Sequence, residues 1–231
     1  MKKTFLVSAI LLLGCSTGLF AQVDMKELIG MVKTNLAASK KNLINYEWQE
    51  TTTTFYKGEQ KSVKQKRCYY SVDGKLTKVE VGGGTQEKAK GGIKGKKIEN
   101  KKEEMADFME KAMAKVHTYL PPDAAKLQQL YGGGKTTVQV LEPGKQFKLN
   151  CPDYNVKGDM LSLSLNSATQ KLMMMDVNTY ISKPEEKVLF NVTYNDLPDG
   201  TQYAGNTTID APSEQLKIVI VNSGFKKSSA N

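Results

Sequence analysis

One histidine, His117, has to serve any imidazole chemistry in this chain. A Ser-His-Asp relay, or a zinc site built on two imidazoles, would depend on that single side chain, which stands beside an apolar stripe at helical spacing. A structural histidine is the reading that fits. Three cysteines, Cys15, Cys68 and Cys151, offer thiol chemistry. Alternation places Cys68 on one strand face with Tyr70 and Val72, and Cys151 on one with Phe147 and Leu149, so both thiols are expected to point inward, where a thiolate is poorly solvated and unreactive. The run Gly132-Gly133-Gly134-Lys135-Thr136-Thr137 ends like a phosphate-binding loop, but the first glycine of that motif would fall on Gln129. Its context also runs helix to strand, the reverse of what aims backbone N–H groups at a phosphate. Carboxylates pair at Glu103, Asp107 and Glu110, and at Glu185 and Glu186. All are flanked by lysines and expected in water, without the desolvation that acid catalysis uses. Asp196-Leu197-Pro198-Asp199-Gly200 lacks the alternating oxygens of a calcium loop and reads as a hairpin turn. The expectation is a protein that is not an enzyme, with no catalytic residue, metal or cofactor.

The elements that would position these residues follow from periodicity. Met25, Leu28, Ile29, Val32, Leu36 and Leu43 recur at helical steps over 24–43. Extended segments follow at 46–56, 61–72 and 76–81, separated by Lys57-Gly58 and Asp73-Gly74 turns, as in an antiparallel meander. Residues 82–102 hold six glycines and seven lysines. They read as a flexible, solvated Gly/Lys-rich loop, the alternative being a polybasic contact with phosphate-bearing lipid. From Glu103, Met105, Phe108, Met109, Ala112, Val116 and Leu120 form a second helical stripe that Pro121 and Pro122 end. Asp123 can cap a short third helix carrying Leu127 and Leu130, stopped by the glycines at 132–134. Seven more strands are expected at 136–141, 146–151, 160–165, 171–182, 187–195, 201–210 and 216–222. Short connections favour antiparallel neighbours, so the fold class is α+β and mostly β: one large curved antiparallel sheet, a half-barrel of about ten strands, with an N-terminal helix and two inserted helices on one face.

Of 231 residues, 33 are basic and 24 acidic, giving about +9, with 25% charged and 39% hydrophobic. That balance excludes a disordered tail and a polytopic membrane protein, and the length suits a single domain over 22–231. Lys2 and Lys3 before an apolar run from Phe5 to Leu13 have the layout of an export signal, expected to be removed after Ala21. Alternatively Leu12-Leu13-Gly14-Cys15 resembles a bacterial lipobox, which would make Cys15 a lipidated anchor. The location expected is the periplasm. There, Cys68 and Cys151 suggest one disulfide, against two separate buried thiols.

Strand character sharpens the expectation. Leu161, Leu163 and Leu165 oppose Ser162 and Ser164, which gives that strand one wet face. Leu172 to Met175 and Leu216 to Val221 are apolar on successive positions, so they need cover on both sides, from a helix, another sheet or a bound apolar ligand.

The order of elements, together with the closing run Leu216-Lys217-Ile218-Val219-Ile220-Val221-Asn222-Ser223-Gly224-Phe225, resembles the periplasmic lipoprotein carriers and receptors of the LolA and LolB type. Tyr119-Leu120-Pro121-Pro122-Asp123 and Leu197-Pro198-Asp199-Gly200-Thr201 also look like segments of exported bacterial proteins without an assigned role. The carrier resemblance implies an open half-barrel whose concave apolar face, lidded by helices, holds acyl chains, and a buried arginine that grips the lid. Arg67 is the one arginine here, expected on a strand. The expected function is therefore non-catalytic binding of an apolar or acyl-chain ligand, a lipid or lipoprotein. Met105, Phe108 and Met109 of a helix and Leu172, Met173, Met174, Met175 and Phe190 of strands would line it. The basic surface suits an anionic membrane, and no nucleic-acid partner is expected. The alternative is an envelope scaffold or sensor with a filled core, working through protein contacts.

Overall fold

The computed structural model describes residues 23–82 and 93–228. The export signal, Cys15 and the first half of the Gly/Lys-rich segment, 83–92, lie outside the described residues. Helix α1 (Met25–Leu43) starts at Asp24, whose carboxylate accepts from the Lys26 and Glu27 amides at 2.8 and 3.2 Å. That satisfies two amide donors that the first turn leaves open. Helix α2 (Ile93–His117) begins ten residues earlier than the sequence pattern indicates, inside the segment expected as loop. Past Gly95 that stretch has no glycine or proline, and its lysines, Ile98 and Glu99 are good helix formers, so propensity prevails over the loop signal of the preceding glycines. Asp123 caps α3 (Ala124–Gly132) through the Ala125 and Lys126 amides. Among the described residues, no helix is long and apolar enough to cross a membrane.

Ten strands make one antiparallel sheet: β1 (Tyr46–Tyr56), β2 (Glu59–Tyr70), β3 (Leu76–Gly82), β4 (Thr137–Glu142), β5 (Gln146–Pro152), β6 (Met160–Asn166), β7 (Lys171–Tyr180), β8 (Lys187–Asp196), β9 (Gln202–Ala211) and β10 (Leu216–Lys227). Their spatial order is β3-β2-β1-β10-β9-β8-β7-β6-β5-β4. Two hairpin meanders therefore meet where the last strand pairs with the first, and α2 and α3 bridge from one free edge to the other. The sheet is open and curved, with the architecture the sequence predicts.

Register shows how the sheet is divided. One row of directly paired residues crosses eight strands: Ser62, Thr54, Ile218, Ile209, Phe190, Val177, Leu161 and Cys151. From Ile218 onward every member is buried, against Met25, Leu28, Ile29 and Val32 of α1, Ala112 and Val116 of α2, and Leu127 of α3. On β1 to β3 the same face is hydrophilic apart from Trp48, Cys68 and Tyr70 at one end. It carries Glu50, Thr52 and Thr54, then Lys64 and Lys66, then Lys78 and Glu80, with Lys78 paired to Glu50 at 2.5 Å. One half of the concave face is thus core and the other half is wet.

Three sequence expectations change at this point. The successive apolar residues of β7 arise from a β-bulge. Ser164 pairs with Met174 and Leu165 with Leu172, so Met173 is the extra residue. Leu172 and Met175 both turn inward, 1% and 0% exposed, while Met174 stands opposite Thr193 on the other face. β10 simply exposes its second apolar face, with Val221 open to solvent. Neither strand needs a second cover. Conversely Ser162 and Ser164 are buried, because small hydroxyls sit below longer neighbours: Asn150 and Asp176 flank the first, Lys148 and Met174 the second. The Ser162 hydroxyl donates to Asn150 Oδ1 at 2.7 Å.

The expected disulfide is absent. Cys68 and Cys151 are free, and both are buried at 0% exposure. They lie on β2 and β5, seven strand spacings apart in the sheet, whereas a disulfide needs Cα atoms within about 7 Å. Burial pushes the Cys151 thiol up to about 12, and burial followed by the Glu50 charge raises that of Cys68. On a chain starting at residue 22, Ellman's reagent is expected to find no reactive thiol in the native protein and both after unfolding. A bonded pair would give none in either state.

Candidate functional site

The described residues first weighed for chemistry have definite places. His117 is exposed at the last residue of α2, away from any thiol. Asp107, Glu110 and Glu185 are exposed, as expected, whereas Glu186 is half-buried and accepts from the Ser182 amide at 3.0 Å. The amides of Gly133, Gly134 and Lys135 donate to the carbonyls of Gln129, Tyr131 and Leu130, so the glycine run closes a helix and has no donors left for phosphate. Among the described residues, no group of three or more His, Cys, Asp or Glu side chains is placed to hold a metal. Arg67, on the outward face of β2, is 57% exposed and reaches Glu47 at 3.9 Å. Its partners among the described residues, Glu47 and the Tyr69 ring, both belong to strands, unlike a lid arginine buried against helices.

The residues expected to line an apolar ligand separate into three groups. Leu172, Met175 and Phe190 are fully buried in the core beneath the helices. Met173 and Met174 are half-buried, Met174 on the outward face of β7. Met105, Phe108 and Met109 lie half-buried on the stripe of α2. Of these, Met105 and Phe108 border a cleft of about 200 Å³ with Glu104, Tyr56, Glu214 and Leu216. α1 buries its stripe fully, Leu28 and Ile29 being 3% exposed. Among its described side chains, α2 fully buries the apolar residues Ala112 and Val116 and leaves Met105, Phe108, Met109 and Met113 partly open. One unbranched thioether and one ring border the cleft, and the thioethers of Met109 and Met113 continue the same half-open stripe, which makes an adaptable apolar surface.

What ties α2 to the sheet is its C-terminal end. Tyr119, two residues beyond the helix and 0% exposed, donates to Asp159 Oδ2 at 2.5 Å and lies 2.9 Å from Thr179 Oγ1. The same carboxylate oxygen accepts from the Asn155 and Val156 amides at 2.8 and 3.1 Å. Burial, and then the bond to Asp159, raise the Tyr119 phenol well above its ordinary range. Sequence reading missed this cluster, since its members are 40 and 60 residues apart.

A second hollow, of about 710 Å³, lies at the other end of β1, between the end of α1, the β2–β3 turn and the β8–β9 turn. Tyr46 donates there to Asp199 Oδ2 at 2.7 Å, and the Thr201 amide donates to Oδ1 at 3.0 Å. The Tyr46 bond, first, and those from Thr201 hold the Asp199 carboxyl down at about 2. A depressed acid stabilises the fold above its unfolded value, near pH 3.9, and that contribution is lost as pH falls through about 2. Tyr46→Phe is expected to move the Asp199 titration, followed by carboxyl carbon NMR, back toward the ordinary value. An unmoved titration would contradict the role given to the phenol.

No family model matches this chain, and no curated protein matches it. Solved structures do resemble it. A LolA superfamily protein from Nitrosomonas europaea is 8% identical, with a TM-score of 0.38, over 87% of this chain and 94% of that one. A DUF1329 family protein from Desulfovibrio piger is 10% identical, with a TM-score of 0.35, over 87% and 94%. An outer membrane lipoprotein-sorting protein domain from Vibrio parahaemolyticus is 9% identical, with a TM-score of 0.33, over 85% of this chain and 92% of its own.

Proposed function

We propose that this is an exported cell-envelope protein that binds an apolar or acyl-chain ligand without catalysis, at the mouth between α2 and the β1/β10 end of the sheet. The observation that carries the reading is the half-open stripe of α2: Met105 and Phe108 stay only partly buried and border the cleft with Tyr56 and Leu216, Phe108 while also packing against the core. A cleft of about 200 Å³ lies below the range of about 300–1,000 Å³ usual for ligand sites, so a chain enters by displacing the N-terminal part of α2. The anchored Tyr119 end stays in place. Export rests on the N-terminal charge and apolar pattern, and a basic surface supports a location beside anionic lipid.

One observation favours a second reading. Leu149, Leu161, Leu165, Leu172, Met175 and Val188 are essentially inaccessible, so the helix-covered half of the concavity is already filled. A filled core suits a scaffold or sensor that works through protein contacts. Extraction of the mature protein from its native envelope, followed by mass spectrometry, separates the two. A stoichiometric lipid supports ligand binding, and a lipid-free protein that retains one protein partner supports the scaffold.

A further inference from the structure

The 710 Å³ hollow at the Tyr46 end of β1 is unrelated to the cleft at Tyr56: ten residue steps of one strand, about 33 Å, separate them. Its walls differ in kind. Tyr46, Tyr69 and Tyr70 line it, together with the carboxamides of Asn42 and Asn45. Asp199 and Lys227 supply one negative and one positive charge, and Ile44 and Val72 stand exposed at its margin. Within a sheet whose wet half is otherwise lined by lysine, threonine and glutamate, this concentration of phenol rings and amides is confined to one place.

The chemistry is selective. Opposite charges on Asp199 and Lys227 leave the lining of the hollow with no net charge, which gives phosphates and other polyanions no advantage despite the basic chain. Asp199 is rigid, because Tyr46 and the Thr201 amide each hold one of its oxygens. Each oxygen keeps a further lone pair for a donor from a ligand. The Asn45 carboxamide is exposed and offers both a donor and an acceptor, while its backbone is fixed by the Ser228 amide at 2.8 Å and by its own bond to Asn42 at 3.0 Å. Aromatic faces beside fixed amide and carboxylate groups fit a ligand with apolar C–H faces and a rim of neutral hydroxyls. We propose that this hollow is a binding site for a neutral oligosaccharide. A volume of about 710 Å³ lies well inside the range of formed ligand sites and exceeds what a single ion needs.

The protein carries its own reporter. Trp48, the sole tryptophan, is tilted against Tyr70 at 6.1 Å and stacked on Phe225 at 5.4 Å, so occupation of the hollow alters its surroundings. The test presents the mature chain to an array of neutral, acidic and phosphorylated mono- to tetrasaccharides, with tryptophan fluorescence titration of the best ligand. Binding to a neutral class is expected. Asn45→Ala, at an exposed position, should weaken it about tenfold with the unfolding midpoint unchanged, and Tyr69→Ala, at a half-buried one, should weaken it as much with a small fall in the midpoint. Retention of no sugar overturns the assignment. So does preference for acidic or phosphorylated sugars, or undiminished binding in both variants. An array of short neutral peptides is run in parallel, and binding there in place of sugars also overturns it.

Discussion

Asp159→Ala is expected to cost on the order of 3 to 5 kcal/mol, the largest loss available from any single polar side chain described here. Asp159 is 2% exposed, and one of its oxygens gathers the Tyr119 hydroxyl and the Asn155 and Val156 amides. Alanine leaves two half-buried amides without an acceptor and the buried phenol with Thr179 alone. Each orphaned buried group costs about 1–3 kcal/mol, and the vacated volume adds to this. For a domain of this size roughly 2–4 °C accompanies each kcal/mol, so thermal unfolding should fall by roughly 10 °C or more. Tyr119→Phe removes only one donor and should cost about 1–2 kcal/mol. A double-mutant cycle by urea unfolding measures the shared part. An Asp159→Ala protein that melts within about 2 °C of the parent would show that the loop finds its acceptors elsewhere.

Phe108→Asp is expected to abolish apolar ligand binding, lowering affinity by roughly 100-fold or more, with a measurable loss of stability because Phe108 also packs against the core, so affinity is read on the folded fraction. Phe108 is half-buried at the cleft beside Met105 and Leu216, so the new carboxylate stays solvated in the free protein. An acyl chain seated there would strip that water away, and desolvating an unpaired charge costs several kcal/mol. Displacement of a fluorescent fatty acid from the mature chain reads the affinity directly. Equal affinity in the variant and the parent would remove α2 from the binding site. Met174→Asp, on the opposite face of β7, is the matched control and should bind as the parent does.

The strands were legible because their signals are local. Alternation or an apolar run marked each one, and turns such as Asp73-Gly74 and Asp199-Gly200 carry glycines at φ 75° and 83°, which other residues adopt only under strain. The start of α2 was obscured by glycines that precede it. The Met173 bulge leaves no mark in residue types, so a single inserted residue passed for a strand apolar on both faces. Compartment and cysteine number suggested a disulfide, but counting carries no distance, and distance decides. The Tyr46–Asp199 and Tyr119–Asp159 contacts join residues 153 and 40 apart, brought together only by the order of strands. The polar inner face of β1 to β3 could have been read from Thr52, Thr54, Lys64 and Lys66, which alternate at strand period.

The wet half of the sheet has an implication for how the molecule comes apart. β2 and β3 bury little apolar surface, and β1 joins the remaining strands through its ladder to β10 alone. Amide protons of the β2–β3 hairpin therefore exchange through small local openings, whereas those of β6, β7 and β8 exchange only when the whole domain opens. The chain is one cooperative body with a detachable fringe, and proteases meet that fringe first.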